Sequence, residues 1–158
     1  MGFQLQCVVS SQLTAEERHG VMAAALARWP FCRGPRDPNA LTDRAVFAPP
    51  ELTSYLFGHG EHGRYDEALL LADDVGRNLA EWSRAFPGVT FALIEANCFG
   101  GDCNYRGFCC RDGELIEQHD GRLGALIQLL AAVGIETHGY FAPFERGFFA
   151  GPGSGGFT

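Results

Sequence analysis

The sequence predicts a single α+β domain over residues 1–150, followed by a flexible Gly-rich tail at 151–158. The domain is an antiparallel or mixed sheet of roughly five or six strands, with a three-stranded meander in its C-terminal half and two to three helices packed mainly on one face. Three observations predict it. Val89 to Gln118 holds three apolar-rich runs separated by the tight-turn dipeptides Gly100-Gly101 and Asp112-Gly113. Elsewhere, helix start signals precede apolar residues at helical spacing. A chain of 158 residues with 46% apolar content is long enough for one core and short for two.

Phe3, Leu5, Cys7 and Val9 alternate with Gln4, Gln6 and Val8, which predicts an opening strand with one apolar face and a central place in the sheet. Thr14-Ala-Glu-Glu17 has the capping-box pattern, and a helix follows to Arg28 with Val21, Met22, Ala25, Leu26 and Trp29 on its inner side. Pro30 ends it, and Gly34 to Asn39 is loop chemistry. Arg44 to Ala48 reads as a short strand, Pro49-Pro50 opens a helical turn reaching Phe57, and Gly58 to Arg64 is a polar loop with three glycines and two histidines. Glu67 to Ala72 reads as a strand. Asp73 or Asp74 then caps a helix carrying Val75, Leu79, Trp82 and Phe86 on one face, stopped by Pro87-Gly88. After the meander, Asp120 caps a helix from Gly121 to Val133 with Leu123, Leu126, Ile127 and Leu130 inward and Gly134 as its stop. Ile135 to Phe141 is a final strand.

Four of the six cysteines lie in the meander. If Gly100-Gly101 is a two-residue turn, Phe99 faces Asp102, Cys98 faces Cys103, Glu95 faces Arg106 and Leu93 faces Phe108. The same geometry argues against a zinc site built from Cys98, Cys103, Cys109 and Cys110, because one hairpin cannot gather all four; only a different register or a distant His would rescue a partial site. Adjacent strand residues point to opposite faces, and Cys109 lies roughly 20 Å beyond Cys103 along an extended chain. In a reducing cytosol Cys98 and Cys103 read as two small thiols at a hairpin end, whereas an oxidised pair implies a redox role or export. Cys7 and Cys32 read as core thiols.

A cysteine nucleophile needs a thiolate and a base. None of His19, His59, His62, His119 and His138 forms a family-type motif with a cysteine. His59 and His62, with Glu61 or Asp66, have metal-ligand chemistry but no helix to aim them. No phosphate-binding glycine pattern follows a strand and opens a helix, so nucleotide enzymes are disfavoured and no cofactor is expected.

All twelve basic residues are Arg and none is Lys, a usage typical of high-GC bacterial genomes. The net charge of −7 argues against nucleic acid as a partner, since a backbone-binding protein needs a concentrated basic face. It fits a basic protein partner. The acidic candidates for that contact are Glu61, Asp66, Glu67, Asp73 and Asp74 in one cluster and Asp112, Glu114 and Glu117, with nearby Asp120, in another. No run reaches the ~20 apolar residues of a membrane helix, and the N-terminus lacks a signal-peptide pattern, so a cytoplasmic chain without membrane contact is expected.

In overall build, and in the style of the hairpin Glu95-Ala-Asn-Cys-Phe-Gly-Gly-Asp-Cys-Asn-Tyr-Arg-Gly107, the chain resembles bacterial immunity proteins. That resemblance implies a small acidic inhibitor that binds and neutralises a cognate toxin. It assigns no individual residue a role. The alternative expectation is a cysteine-dependent enzyme or thiol redox protein using Cys98 and Cys103, or Cys109.

Overall fold

The computed structural model describes residues 2–30, 32, 43–47, 74–99 and 102–136. These form five strands, β1 (Gly2–Ser10), β2 (Val46–Phe47), β3 (Thr90–Phe99), β4 (Asp102–Arg111) and β5 (Glu114–Gly121), with helices α1 (Ala15–Arg28), α2 (Asp74–Ser83) and α3 (Leu123–Ala132). All strand pairs are antiparallel and the sheet order is β2-β1-β3-β4-β5. The meander therefore extends to Gly121, and β1 is an interior strand beside the central β3. The expected elements at Pro49–Phe57 and Glu67–Ala72, the final strand beyond Glu136 and the Gly-rich tail lie outside the described residues.

Each element forms for a local reason. Thr14 Oγ1 accepts from Glu17 N at 3.1 Å while Glu17 Oε1 accepts from Thr14 N at 3.0 Å, so the capping box of α1 is complete. Asp112 and Gly113 have φ of 52° and 85°, the two consecutive left-handed residues that a type I′ hairpin turn requires. α3 stops at Gly134, whose φ is 81°.

Strand alternation divides the core between two faces. On one, Cys7, Val9, Val46, Ala92, Ile94, Ala96, Tyr105 and Cys109 pack against Ala125, Leu126, Leu129, Leu130 and Val133 of α3 and its end. On the other, Val8, Phe47, Phe91, Leu93, Phe108 and Cys110 pack against Val21 and Ala25 of α1, Trp29 and Leu79 of α2. Two of the three described helices thus share a face and the third covers its reverse. Both tryptophans join one aromatic cluster, with Trp82 centred 5.2 Å from Trp29, 5.0 Å from Phe91 and 4.9 Å from Phe86.

Three expectations need correction. Leu26 is 54% exposed, because an Ala-rich helix defines its buried stripe poorly and Val21, Ala25 and Trp29 take the inward side. Asp120 is not a helix cap. It pairs with Arg106 in the β4–β5 ladder, and the cap position of α3 falls to Arg122, which makes no side-chain capping bond. Leu129, fully buried, replaces half-buried Ile127 on the inner face of α3.

Arg44 ties distant segments together. Its guanidinium is buried and donates to the carbonyl oxygens of Ser10 and Val133 through Nη1 and of Gly134 through Nη2. A cation at the C-terminal end of α3 satisfies carbonyls that the helix leaves open and complements its dipole.

Candidate functional site

The acidic residues expected to contact a partner separate in space. Glu61, Asp66, Glu67 and Asp73 lie outside the described residues, and Asp74 opens α2. Asp112, Glu114 and Glu117 come together on the β4–β5 hairpin, whose turn sits against the far end of α2. Ten helical residues separate Asp74 from that turn by roughly 14 Å along the axis.

The turn is anchored by hydrogen bonds. Asp112 Oδ1 accepts from Gly88 N at 2.8 Å, so this carboxylate braces the loop before β3. Gly113 N donates to Ser83 Oγ at 3.1 Å, and Ser83 Oγ donates to Ala80 O at 2.6 Å. Ser83 is completely buried at this junction, and nothing in the helix pattern singled it out.

A bulge beside Cys109 and Cys110 then resets the facing of β5. Cys110 pairs with Leu115 but Cys109 pairs with Glu117, leaving Ile116 as the extra residue. In a regular strand Glu114 and Glu117 would face opposite ways. The inserted residue puts both on the side of the sheet that carries α3, and His119 joins them there. His119 Nε2 lies 3.1 Å from Glu117 Oε2. Glu114, Ile116 and Glu117 are exposed, Ile116 by 40%. Among the described residues, β5 pairs only with β4, so its outer N–H and C=O groups line the edge of the sheet.

Glu95 and Arg106 form a second polar feature, as the register expected. They are cross-strand partners with Arg106 Nε 3.0 Å from Glu95 Oε2, and their side chains are 1% and 12% exposed. The pair continues the face that carries Leu93 and Phe108. Gln6 on β1 and Asp120 on β5 complete the row in register.

The thiols fall into two groups. Cys7, Cys109 and Cys110 are fully buried and outside any disulfide, and half-buried Cys32 is likewise not disulfide-bonded. Desolvation pushes the Cys109 thiol up to about 12, with the Glu117 and Cys110 charges adding to it. Cys110 is likewise pushed up to about 12 by desolvation, against a lowering contact with Ser83, and burial raises Cys7 further. These are protonated core thiols without nucleophilic character at neutral pH. Their alternative role as Cys109-based catalysis gains no support from that setting. Cys103, by contrast, is disulfide-bonded, and the register sets Cys98 directly across from it. Direct opposition gives a Cα separation of ~4.5–5.5 Å, within the range a disulfide spans.

A pH dependence follows from the raised thiols. Their folded values exceed the ordinary 9.0, so the stability they contribute is complete below about pH 9 and lost as pH rises toward about 12. Urea midpoints are expected to fall between about pH 8 and about pH 11, and less steeply for Cys109→Ala/Cys110→Ala. Equal slopes in both proteins would contradict this assignment.

Among the described residues, no three His, Cys, Asp or Glu side chains are grouped to hold a metal ion. None of the described helices is long and apolar enough to cross a membrane. Comparison of the chain with protein-family models, with characterised proteins and with solved structures yields no match.

Proposed function

We propose that the chain is a binding protein of the immunity type, an inhibitor that takes a basic segment of a cognate toxin against the β5 edge. The observation that carries this reading is the composition of that edge. Glu114, Ile116 and Glu117 stand exposed on a strand whose outer backbone groups have no strand partner among the described residues. An extended segment added there would gain main-chain hydrogen bonds from the edge, apolar contact from Ile116 and charge attraction from the two carboxylates. A net charge of −7 would steer such a partner toward the chain. The buried, protonated state of Cys109 and Cys110 supports a binding role over thiol catalysis at those residues.

The test is capture from the native cell with the purified chain as bait, followed by kinetics on the captured protein. Glu114→Arg/Glu117→Arg is expected to slow association about tenfold or more and to flatten its salt dependence. Ile116→Asp should mainly speed dissociation. Unaltered kinetics in both variants would move the contact away from β5. Capture of no basic protein would remove the inhibitor reading.

A further inference from the structure

We propose that Cys98 and Cys103 form a reversible dithiol–disulfide couple, a redox-active site at the β3–β4 hairpin end that exchanges with a low-molecular-weight thiol. This goes beyond the partner-binding role and does not depend on it. Four of the six cysteines lie outside any disulfide, and Cys103 is disulfide-bonded opposite Cys98. A disulfide scaffold of the exported kind pairs its cysteines throughout, whereas a chain that keeps Cys7, Cys109 and Cys110 as buried free thiols suits a reducing compartment. In a reducing compartment the disulfides that do form are usually transient, catalytic or redox-sensing.

The position argues the same way. Only four residues separate Cys98 from Cys103, so the cross-link closes a very short loop and removes less chain entropy than a long-range bond would. Ten cross-strand pairs from Thr90–Arg111 to Phe99–Asp102 already hold the two strands in register. The hairpin therefore does not need the bond to keep its shape, and after reduction the two thiols remain opposite one another, ready to close again. Cys103 is only partly buried at the margin of the α3-side core. A thiolate from solvent has a route to it that it lacks at Cys109 and Cys110.

The reaction balances with two equivalents of thiol. One thiolate RS⁻ attacks a sulfur of the pair, the S–S bond breaks and a mixed disulfide forms, while the released cysteine takes a proton. A second RS⁻ attacks the mixed disulfide, releasing RSSR and the other cysteine thiol. The protein gains two electrons and two protons, both from the two RSH, and re-oxidation by RSSR is the reverse.

The experiment equilibrates the full chain in glutathione buffers of graded reduced-to-oxidised ratio, quenches, and labels with iodoacetamide. Both cysteines fall in one tryptic peptide, residues 85–106, whose mass reports their state directly. The expected result is half-conversion within the buffer series, two added labels on that peptide at the reducing end, full return on re-oxidation, and an unchanged far-ultraviolet dichroism spectrum. Cys98→Ala/Cys103→Ala should remove the two labels and keep the spectrum. A peptide that stays oxidised across the series, that reduces only with loss of the spectrum, or that fails to re-oxidise would overturn the proposal.

Discussion

The Gly107→Ala protein is expected to lose about 3 kcal/mol or more of folding stability, at the severe end of point substitutions. Gly107 lies inside β4, opposite Ile94 on β3 and His119 on β5. A methyl group there would enter the space of the Leu93 carbonyl oxygen, with the Leu93 carbonyl carbon at 3.0 Å and Leu129 Cδ1 at 3.3 Å. The first two obstacles are backbone atoms of the central strand and cannot turn aside as a side-chain tip can. Relief requires β3 and β4 to separate locally, in the stretch where α3 packs on them. For a chain of this size the loss corresponds to a fall in Tm of roughly 10 °C. Gly20→Ala is the matched control, because Gly20 is interior to α1 and an added Cβ meets nothing within 4 Å. It should stabilise by ~0.5–1 kcal/mol through helix propensity and reduced freedom of the unfolded chain. Chemical denaturation of both proteins decides the matter, and equal midpoints would refute the steric account.

The opposite outcomes expected of those two glycines illustrate what local pattern conveys and what it omits. The β3–β4 register was legible because a two-residue turn leaves no freedom: once Gly100-Gly101 closes the hairpin, every pair from Cys98–Cys103 to Leu93–Phe108 follows by counting. The capping box of α1 is equally local. Asp120 misleads because an Asp before Gly and an apolar run has the composition of a cap, yet the ladder to Arg106 claims it first. The facing of Glu114 and Glu117 depends on one inserted residue, which alternation alone cannot locate. Arg44 carries no signal at all, since its acceptors stand 34, 89 and 90 residues away. For the hairpin cysteines, proximity was readable from the turn. Their oxidation state was not, because counting residues fixes a distance and leaves the redox equilibrium open.

Arg106→Met is expected to cost ~3–5 kcal/mol, and more than Glu95→Gln. The asymmetry comes from where each charge is left. Removing the guanidinium takes its cation at 3.0 Å from a carboxylate whose side chain is 1% exposed, while removing the carboxylate leaves a guanidinium that is already 12% exposed on a long stem able to reach water and in register with Asp120 on β5. If the pair is held mainly for its net Coulombic gain, the double variant Glu95→Leu/Arg106→Met should be at least as unstable as the worse single one. If desolvation nearly offsets that gain, as is common for buried pairs, the double variant should recover most of the loss. We expect recovery, because Leu93 and Phe108 extend the same face and can accept apolar neighbours. A double-mutant cycle measured by urea unfolding gives the coupling directly. No recovery in the double variant would show that packing of the long Arg stem rather than its charge is what β3 and β4 require at this position, and a larger cost for Glu95→Gln than for Arg106→Met would overturn the asymmetry.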